Sequence, residues 1–278
     1  MKQFRADLHC HSTCSDGTLT PFEILDLAKE IGLSGLSITD HDTTSAYTQP
    51  FLSKAAELGL QMIPGVEISS IHRNTSVHIL AYNYDLQDEA FKNFISEAQG
   101  KRNDRNHKIL EKLKELGMPI EYEELVAFAS NDDTFNHKSL GRPHIALLMI
   151  KKGYVPHFQQ AFDVYLKDGG KAFAPTLSRT APEVIKEIHR AKGKAIIAHP
   201  GIYKNRHVVQ DLLSMEFDGL EGYYSRVAPE QEKRWIDIAY NKGWLVTGGS
   251  DFHGSVKAHI PLGCSWVNEE TFKKILER

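Results

Sequence analysis

The sequence predicts an α/β barrel of the TIM type, built from seven strands and interrupted by a helical insertion. Three observations support this fold class. Seven short apolar runs have the length and composition of buried strands, and most of them are followed by a helical pattern. Polar side chains collect at the carboxyl ends of these runs, where barrels of this type carry their active sites. Helical spacing replaces strand-like alternation across residues 87–174.

The first part of the chain contains four of the predicted strands, over residues 4–10, 35–39, 61–68 and 76–82. A capping box at Thr20-Pro21-Phe22-Glu23 starts the first helix, and a second helix is predicted over residues 45–58. Only residues 69–75 separate the third strand from the fourth, whereas a parallel crossover needs about a dozen residues. The fourth strand is therefore predicted to run antiparallel to the third, which would bring His78 close to Glu67.

The chain divides into three predicted parts. These are a first barrel segment over residues 1–86, a helical insertion over residues 87–174 and a second barrel segment over residues 175–278. In the second barrel segment, a capping box at Thr180-Ala181-Pro182-Glu183 starts a helix. The remaining three strands are predicted over residues 194–198, 219–223 and 244–247.

The composition is that of a soluble globular protein, with 278 residues of which 41% are hydrophobic and 25% charged. The formal net charge of -3 argues against a generally basic nucleic-acid-binding protein, but it allows a local positive pocket. No apolar run reaches the roughly 18 residues that a membrane span requires. Three cysteines without disulfide spacing, and no signal segment at the start, predict a cytoplasmic protein. Nothing in the sequence indicates an obligate protein partner.

The strongest chemical signal is the segment Asp7-Leu8-His9-Cys10-His11. Because side chains alternate along a strand, His9 and His11 point to one face and could bind the same ion. Such a pair alone is weak support, since many histidines are simply satisfied in protein cores. Further candidate metal ligands follow at or near the ends of later elements: Asp16, His41, Glu67, His78, His199, Asp251 and His253.

These nine side chains exceed a single four-coordinate site by more than twofold, so two or three divalent ions are expected. Mixed imidazole and carboxylate ligands suit manganese, zinc or iron, whereas magnesium and calcium prefer oxygen alone. Manganese is the metal expected here, with zinc or iron as alternatives. The candidates are spread over most of the strands, and only a closed barrel brings both ends of a sheet together. This favours the barrel over an open doubly wound sheet.

Five segments together resemble the motifs of the PHP (polymerase and histidinol phosphatase) family. They are His9-Cys10-His11, Thr39-Asp40-His41-Asp42, Glu67, His199-Pro200 and Ser250-Asp251-Phe252-His253. The resemblance implies the PHP fold, a distorted TIM-like (β/α)7 barrel, and it divides the nine ligands among three ions, with Glu67 as a bridge between the first two. The three implied groups are His9, His11, Glu67 and Asp251; Glu67, His78 and His199; and Asp16, His41 and His253.

Gly141-Arg142-Pro143-His144 further resembles the branch of the family that contains 3',5'-nucleoside bisphosphatases and 5'-to-3' exoribonucleases. Arg142 is expected to bind a phosphate, with a surface ion pair as the alternative. His144 is expected to contact phosphate or to protonate the leaving oxygen. Asp40 is the third catalytic candidate, because it could orient a neighbouring imidazole or shuttle a proton; a helix cap is the alternative.

The expected activity is that of a metal-dependent phosphoesterase acting on nucleotides or on the 5' ends of short RNA. Clustered cations lower the pKa of a bridging water, and the resulting hydroxide would attack phosphorus. Lys171, Arg179, Lys204 and Arg206 could extend a path for phosphate or RNA, although solvated surface charge is the favoured interpretation of these four residues. Histidinol phosphatase and amidohydrolase are rival enzyme activities, because a barrel with metal ligands does not fix the bond that is cleaved. A non-catalytic interaction module is the alternative from another class.

Overall fold

The structure is a computed structural model that describes residues 3–129, 139–174, 179–225 and 227–277. Residues 130–138 of the predicted insertion, and residues 175–178 at the predicted start of the second barrel segment, lie outside the described residues. Within the described ranges, the strands are β1 (Ala6–Cys10), β2 (Gly35–Ile38), β3 (Gln61–Met62), β4 (Gly65–His72), β5 (Thr75–Tyr82), β6 (Lys194–Ile197), β7 (Gly219–Tyr224) and β8 (Leu245–Gly249).

The strands form a closed, distorted TIM-like barrel, which confirms the predicted fold class. One sheet has the order β1-β2-β3 and the other the order β4-β5-β6-β7-β8. Single bridges join the two sheets on both sides, between Cys10 and Phe252 and between His41 and Glu67. These bridges bring the carboxyl ends of β1, β2 and β8 to the same mouth of the barrel.

The predicted antiparallel step is confirmed, because β5 runs antiparallel to β4 and also to β6. The connection is tighter than predicted and consists of Arg73 and Asn74 alone, whose φ angles are 47° and 58°. Two residues with positive φ make the turn that matches the twist of a β-hairpin. Arg-Asn is not one of the dipeptides that usually form this turn, so the sequence analysis predicted a longer loop here.

The predicted strand over residues 61–68 is divided into β3 and β4 by Pro64. Proline has no N–H to donate to a ladder, so pairing is interrupted at this point. Glu67 therefore lies near the start of β4 rather than near the end of a strand. It still reaches the barrel mouth, because β4 is offset along its neighbour and its backbone pairs with His41, just beyond β2.

The helices are α1 (Pro21–Glu30), α2 (Gln49–Glu57), α3 (Glu89–Glu115), α4 (Tyr122–Ala129), α5 (Arg142–Lys151), α6 (Phe158–Gln160), α7 (Ala181–Arg190), α8 (Arg206–Leu213), α9 (Pro229–Lys242) and α10 (Glu269–Leu276). A π-helical turn (Ala161–Leu166) follows α6. Both predicted capping glutamates are in place: Glu23 accepts from the backbone N–H of Thr20 at 2.7 Å, and Glu183 accepts from that of Thr180 at 2.7 Å. Among the described helices, none is long and apolar enough to cross a bilayer.

The insertion has a hydrophobic core of its own. Leu113 on α3 packs in this cluster with Leu125 on α4 and with Ile145 and Met149 on α5. The barrel strands and α7 contribute to a different cluster. Separate cores support the predicted division into barrel and insertion, whose boundaries stay a prediction.

Gly249 allows the barrel to close where β8 meets β1. A Cβ added to Gly249 would stand 2.3 Å from the backbone N and 2.5 Å from the Cβ of His9. Because the obstacle is backbone, we expect Gly249→Ala to lower the free energy of unfolding by about 1–3 kcal/mol, measured by urea denaturation. Gly100→Ala is the matched control within α3, where nothing lies within 4 Å of the added Cβ. It should raise stability by about 0.5–1 kcal/mol, and similar losses in both variants would contradict the closure argument.

Candidate metal centre

Glu67 lies at the middle of the candidate centre and is only 1% exposed. Its Oε2 atom lies 3.4 Å from His9 Nε2, 3.2 Å from His11 Nε2 and 3.2 Å from His41 Nδ1. His9 and His11 reach it from the same face of β1 and its end, as the alternation of side chains predicts. One carboxylate oxygen thus faces imidazole nitrogens from two neighbouring elements.

The other oxygen of Glu67 faces a second pair of imidazoles. Its Oε1 atom lies 2.9 Å from His78 Nδ1 and 3.0 Å from His199 Nε2. His78 arrives there because β5 reverses direction, as predicted, and His199 follows the end of β6. A carboxylate with each oxygen aimed at a different group of imidazoles has the arrangement of a bridging ligand.

Two aspartates complete the cluster on the side of Glu67 Oε2. Asp251 follows β8, and its Oδ1 atom lies 3.8 Å from His9 Nε2 and 3.5 Å from His11 Nε2. Asp16 lies with its Oδ1 atom 3.4 Å from His253 Nε2. All nine predicted ligands are therefore brought together at one mouth of the barrel.

Three groups of ligand atoms in the described residues lie within 4.8 Å of one another: His11, Asp16, His41 and His253; His9, His11 and Asp251; and His41, Glu67 and His78. Three groups agree in number with the three ions that the family pattern implies. Their membership differs from the implied one. Glu67 is absent from the group of His9, and His199 is absent from that of His78, while His11 joins the group of Asp16 and His41 joins that of Glu67.

The donor atoms fit a set of divalent cations. The Nε2 atoms of His9 and His11 and the Nδ1 atom of His41 are buried without a hydrogen-bond partner, and all three face Glu67. Buried polar atoms are rarely left unsatisfied in folded proteins. Imidazole nitrogens grouped around carboxylates would be satisfied by zinc, iron or manganese.

Glu221 on β7 accepts hydrogen bonds from two of the candidate ligands. Its Oε1 atom accepts from His9 Nδ1 at 2.8 Å, and its Oε2 atom accepts from the backbone N–H of His199 at 2.8 Å. A carboxylate on the far nitrogen fixes the orientation of a ligand histidine, so His9 presents Nε2 to the cluster. The sequence prediction overlooked Glu221. The available signal was an acidic residue inside a buried strand, where unpaired glutamates are rare.

Electrostatics keep the three carboxylates ionised. Burial raises the pKa of Glu67, but the surrounding imidazoles of His41, His78 and His9 outweigh it and hold that pKa well below its ordinary value. Burial acts in the same way on the pKa of Asp251, where the nearby ammonium of Lys257 is the largest opposing influence. The pKa of Asp16 is likewise held well below its ordinary value by the neighbouring imidazoles of His41, His253 and His11, against the effect of burial. Ionised carboxylates are the form that binds cations.

The imidazoles divide into two classes. Burial lowers the pKa values of His41, His78 and His253, which favours the neutral form. Burial also opposes protonation of His9, but the charges of Glu221 and Glu67 outweigh it and raise that pKa well above its ordinary value. A cation bound at His9 would therefore displace a proton, so metal affinity should rise with pH.

Asp40 accepts hydrogen bonds from the loop after β1. Its carboxylate accepts from the backbone N–H of Ser12 at 2.8 Å, from the hydroxyl of Ser12 at 2.6 Å and from that of Ser15 at 2.5 Å. These bonds hold the turn that presents Asp16, which differs from the expected contact with an imidazole and from the alternative of a helix cap. A catalytic role for Asp40 stays a prediction.

The Gly-Arg-Pro-His segment starts α5. Arg142 forms an ion pair with Asp168 at 3.0 Å and donates to the carbonyl of Leu166 at 3.1 Å. The ion pair considered from the sequence is therefore present, although Arg142 also lines the cavity over the metal ligands. The Nδ1 atom of His144 accepts from the backbone N–H of Gly141 at 3.1 Å, which caps the helix. The phosphate-binding roles of Arg142 and His144 stay predictions.

A cavity of about 410 Å³ lies over the cluster. The candidate metal ligands form one wall, and the insertion contributes Arg102, Arg105, Arg142 and Lys167 to the other. The sequence prediction overlooked Arg102 and Arg105. They continue the buried face of α3 between its two apolar stretches, so arginines at helical spacing on an apolar stripe were the available signal.

Comparison with known proteins agrees with this geometry. A model of the PHP domain family matches residues 7–167. The 5'-3' exoribonuclease of Haemophilus influenzae is 32% identical over 94% of this chain and 91% of its own length. The 3',5'-nucleoside bisphosphate phosphatase of Chromobacterium violaceum is 27% identical over 89% of this chain and 86% of its own.

A solved structure from Bifidobacterium adolescentis, assigned as a metal-dependent phosphoesterase, superposes with a TM-score of 0.87. It is 32% identical and covers 98% of this chain and 95% of its own. The resemblance inferred from the five sequence segments is confirmed. Because the family model covers more than half of the chain, and a relative above 30% identity spans nearly all of it, the chain belongs to the PHP domain family.

Proposed function

We propose that this metal-dependent phosphoesterase of the PHP domain family acts on nucleotides, with nucleoside 3',5'-bisphosphates and the 5' ends of short RNA as its substrates. The observation that carries the proposal is the cavity with two unlike walls, one of metal ligands and one of buried arginines. The names of the relatives from Haemophilus and Chromobacterium point to the same substrates.

The arginine wall favours substrates that carry more than one phosphate. Arg102 and Arg105 are 4% and 6% exposed. Burial, followed by the charges of Arg102 and Arg142, lowers the pKa of Arg105 well below its ordinary value. The carboxylates of Asp42 and Asp168 offset part of this repulsion. A dianionic phosphate would offset more of it, because guanidinium groups bind phosphate in a bidentate manner. Histidinol phosphate has one phosphate and a cationic amine, so the same wall disfavours it.

Divalent cations, which the nine candidate ligands would hold, would supply an activated water and neutralise the charge of the phosphoryl oxygens. The residues of this chain orient and enclose the substrate. Glu221 and Glu67 fix the imidazoles, and Arg142 would bind a phosphate. Phe158 and Phe162 line the same cavity with their ring centroids 4.9 Å apart, which offers an apolar surface on which a base can stack.

The alternatives have less support. A non-catalytic module has no need of nine convergent ligands beside a cavity, since a structural site is closed by about four groups. An amidohydrolase requires no cluster of guanidinium groups opposite its metals. Release of inorganic phosphate is the direct measure that separates a phosphatase from an amidohydrolase.

The central test compares phosphate release from adenosine 3',5'-bisphosphate and from histidinol phosphate with the manganese-loaded enzyme. We expect the bisphosphate to have the higher kcat/KM. Asp251→Asn should lower kcat by at least about 100-fold, since changes to the outer partners of metal ligands already cost 10–100-fold. Asp237→Asn is the matched control, because Asp237 is an exposed carboxylate on α9 paired with Lys233. Preference for histidinol phosphate, or full activity of Asp251→Asn, would refute the proposal.

Cation binding should stabilise the fold, because it satisfies the buried imidazole nitrogens and neutralises the repulsion among the carboxylates of Asp16, Glu67 and Asp251. At a manganese concentration of 100 times Kd, the free energy of unfolding should rise by about 2.7 kcal/mol per independent site. Thermal unfolding after chelation, and after adding back manganese, zinc or iron, measures this effect for each metal. Glu67→Gln should reduce the rise in Tm. An unchanged Tm with every metal would contradict the assignment of the ligands.

Arg142 is the expected phosphate ligand from the insertion. Arg142→Gln should raise KM for adenosine 3',5'-bisphosphate about tenfold and change kcat less, since it removes a charge-assisted hydrogen bond made to the bound substrate. Arg190→Gln is the control, because Arg190 forms surface ion pairs with Asp88 and Glu187. If both variants left KM unaltered, Arg142 would be only the partner of Asp168.

A further inference from the structure

A second cavity of about 480 Å³ adjoins the one over the metal ligands. The two cavities share wall residues, namely His78, Arg142, Phe162, Lys167, His199 and Ile202. Building on the proposed function, we propose that the second cavity binds the second nucleotide of a 5'-phosphorylated RNA strand, on the 3' side of the phosphate that is cleaved. A single nucleotide fills only the first cavity, so the second is a subsite for longer substrates.

The walls of the second cavity suit a nucleotide phosphate. Three cations and one carboxylate line it: Arg142, Lys167, Lys204 and Asp168. Arg142 is paired with Asp168, and Lys167 lies 3.3 Å from Asp163. Among the ion pairs of the described residues, none involves Lys204, whose charge acts on Asp163 only from a longer distance. Its ammonium is therefore the least engaged of the three cations. Ser76 and Asn205 add neutral hydrogen-bonding groups to the same cavity.

An aromatic side chain stands between this cavity and the metal ligands. The hydroxyl of Tyr203 accepts from the backbone N–H of His78 at 3.0 Å, and its ring centroid lies 5.8 Å from that of His199. Tyr203 is therefore held in place beside two ligands while it lines the second cavity. Together with Phe162 it offers ring faces for a base, and stacking of this kind tolerates any base.

The solvent exposure of the residues that line the two cavities indicates the direction of the RNA strand. Asn74, Lys204 and Asn205 are exposed and rim the second cavity, so a strand can leave there into solvent. The first cavity also has exposed residues at its rim, such as Gln159 and His259, but it alone of the two reaches the buried side chains of Arg102, Arg105 and Glu67. The 5' end of the strand therefore belongs in the first cavity, and the chain continues through the second.

Two substrates isolate this subsite. Adenosine 3',5'-bisphosphate (pAp) and the dinucleotide pApA have the same first nucleotide, and in both the bond between phosphorus and O3' of that nucleotide breaks. The oxygen of water adds to phosphorus and O3' receives a proton. The products are AMP and inorganic phosphate from pAp, and two molecules of AMP from pApA. Only pApA places a nucleoside in the second cavity.

The test is the ratio of kcat/KM for pApA to kcat/KM for pAp, measured with the intact metal-loaded enzyme. Lys204→Glu replaces attraction for the strand by repulsion and should lower this ratio about tenfold. Arg206→Glu is the matched control, because Arg206 is a neighbouring exposed cation at the start of α8 that is not among the residues of the cavity wall. It should leave the ratio within about twofold of the unaltered enzyme.

The outcomes separate the subsite from the proposed function. A ratio lowered by Lys204→Glu but not by Arg206→Glu supports the subsite. An equal ratio in the Lys204 variant and the unaltered enzyme overturns it, as does hydrolysis of pAp without hydrolysis of pApA; in both cases nucleotide hydrolysis itself stands. If the unaltered enzyme hydrolyses neither substrate, the proposed function fails and the subsite fails with it.

Discussion

The buried carboxylate of Glu67 is the constraint on which the rest of this site depends. An isolated ionised carboxylate cannot be buried without a large free-energy cost, so it must be surrounded by cationic or metal-bound partners. Five imidazoles from four parts of the barrel meet that need within 3.4 Å. Closure of the barrel delivers them, because His11 follows a strand of one sheet and His199 follows a strand of the other.

Closing the barrel around this group strains the backbone at its mouth. Asp42, His199 and Asp251 have φ angles of 51°, 31° and 57°. Left-handed conformations at residues other than glycine cost of order 1–3 kcal/mol each and persist where the surroundings impose them. At Asp42 a hydrogen bond imposes this conformation. The carboxylate of Asp42 accepts from the backbone N–H of Ser69 at 2.8 Å, which connects the loop that carries His41 to β4.

The insertion takes part in the same network. Arg102, on α3, donates to Asp42 at 2.8 Å and to the hydroxyl of Ser69 at 2.7 Å. Helix α3, which lines the cavity through Arg102 and Arg105, is thus hydrogen-bonded to the loop that carries His41. A buried ion pair of this kind is costly to break, because the partner left behind keeps its charge in a place that water does not reach. These bonds consequently fix the position of α3 relative to the candidate metal ligands.

Local pattern was sufficient for the capped helices and the reversal of β5, because capping residues and short loops are properties of neighbours along the chain. It also selected nine candidate ligands that the fold brings together, although their role as ligands stays a prediction. It was not sufficient for Glu221 or Arg102, whose roles depend on partners far away in sequence, nor for the break at Pro64, which changes where Glu67 sits along its strand. Which imidazole meets which oxygen, and how two adjoining cavities share their walls, follow from strand offset and barrel closure. Those arise only when the whole chain packs, since no local segment contains both sides of the contact.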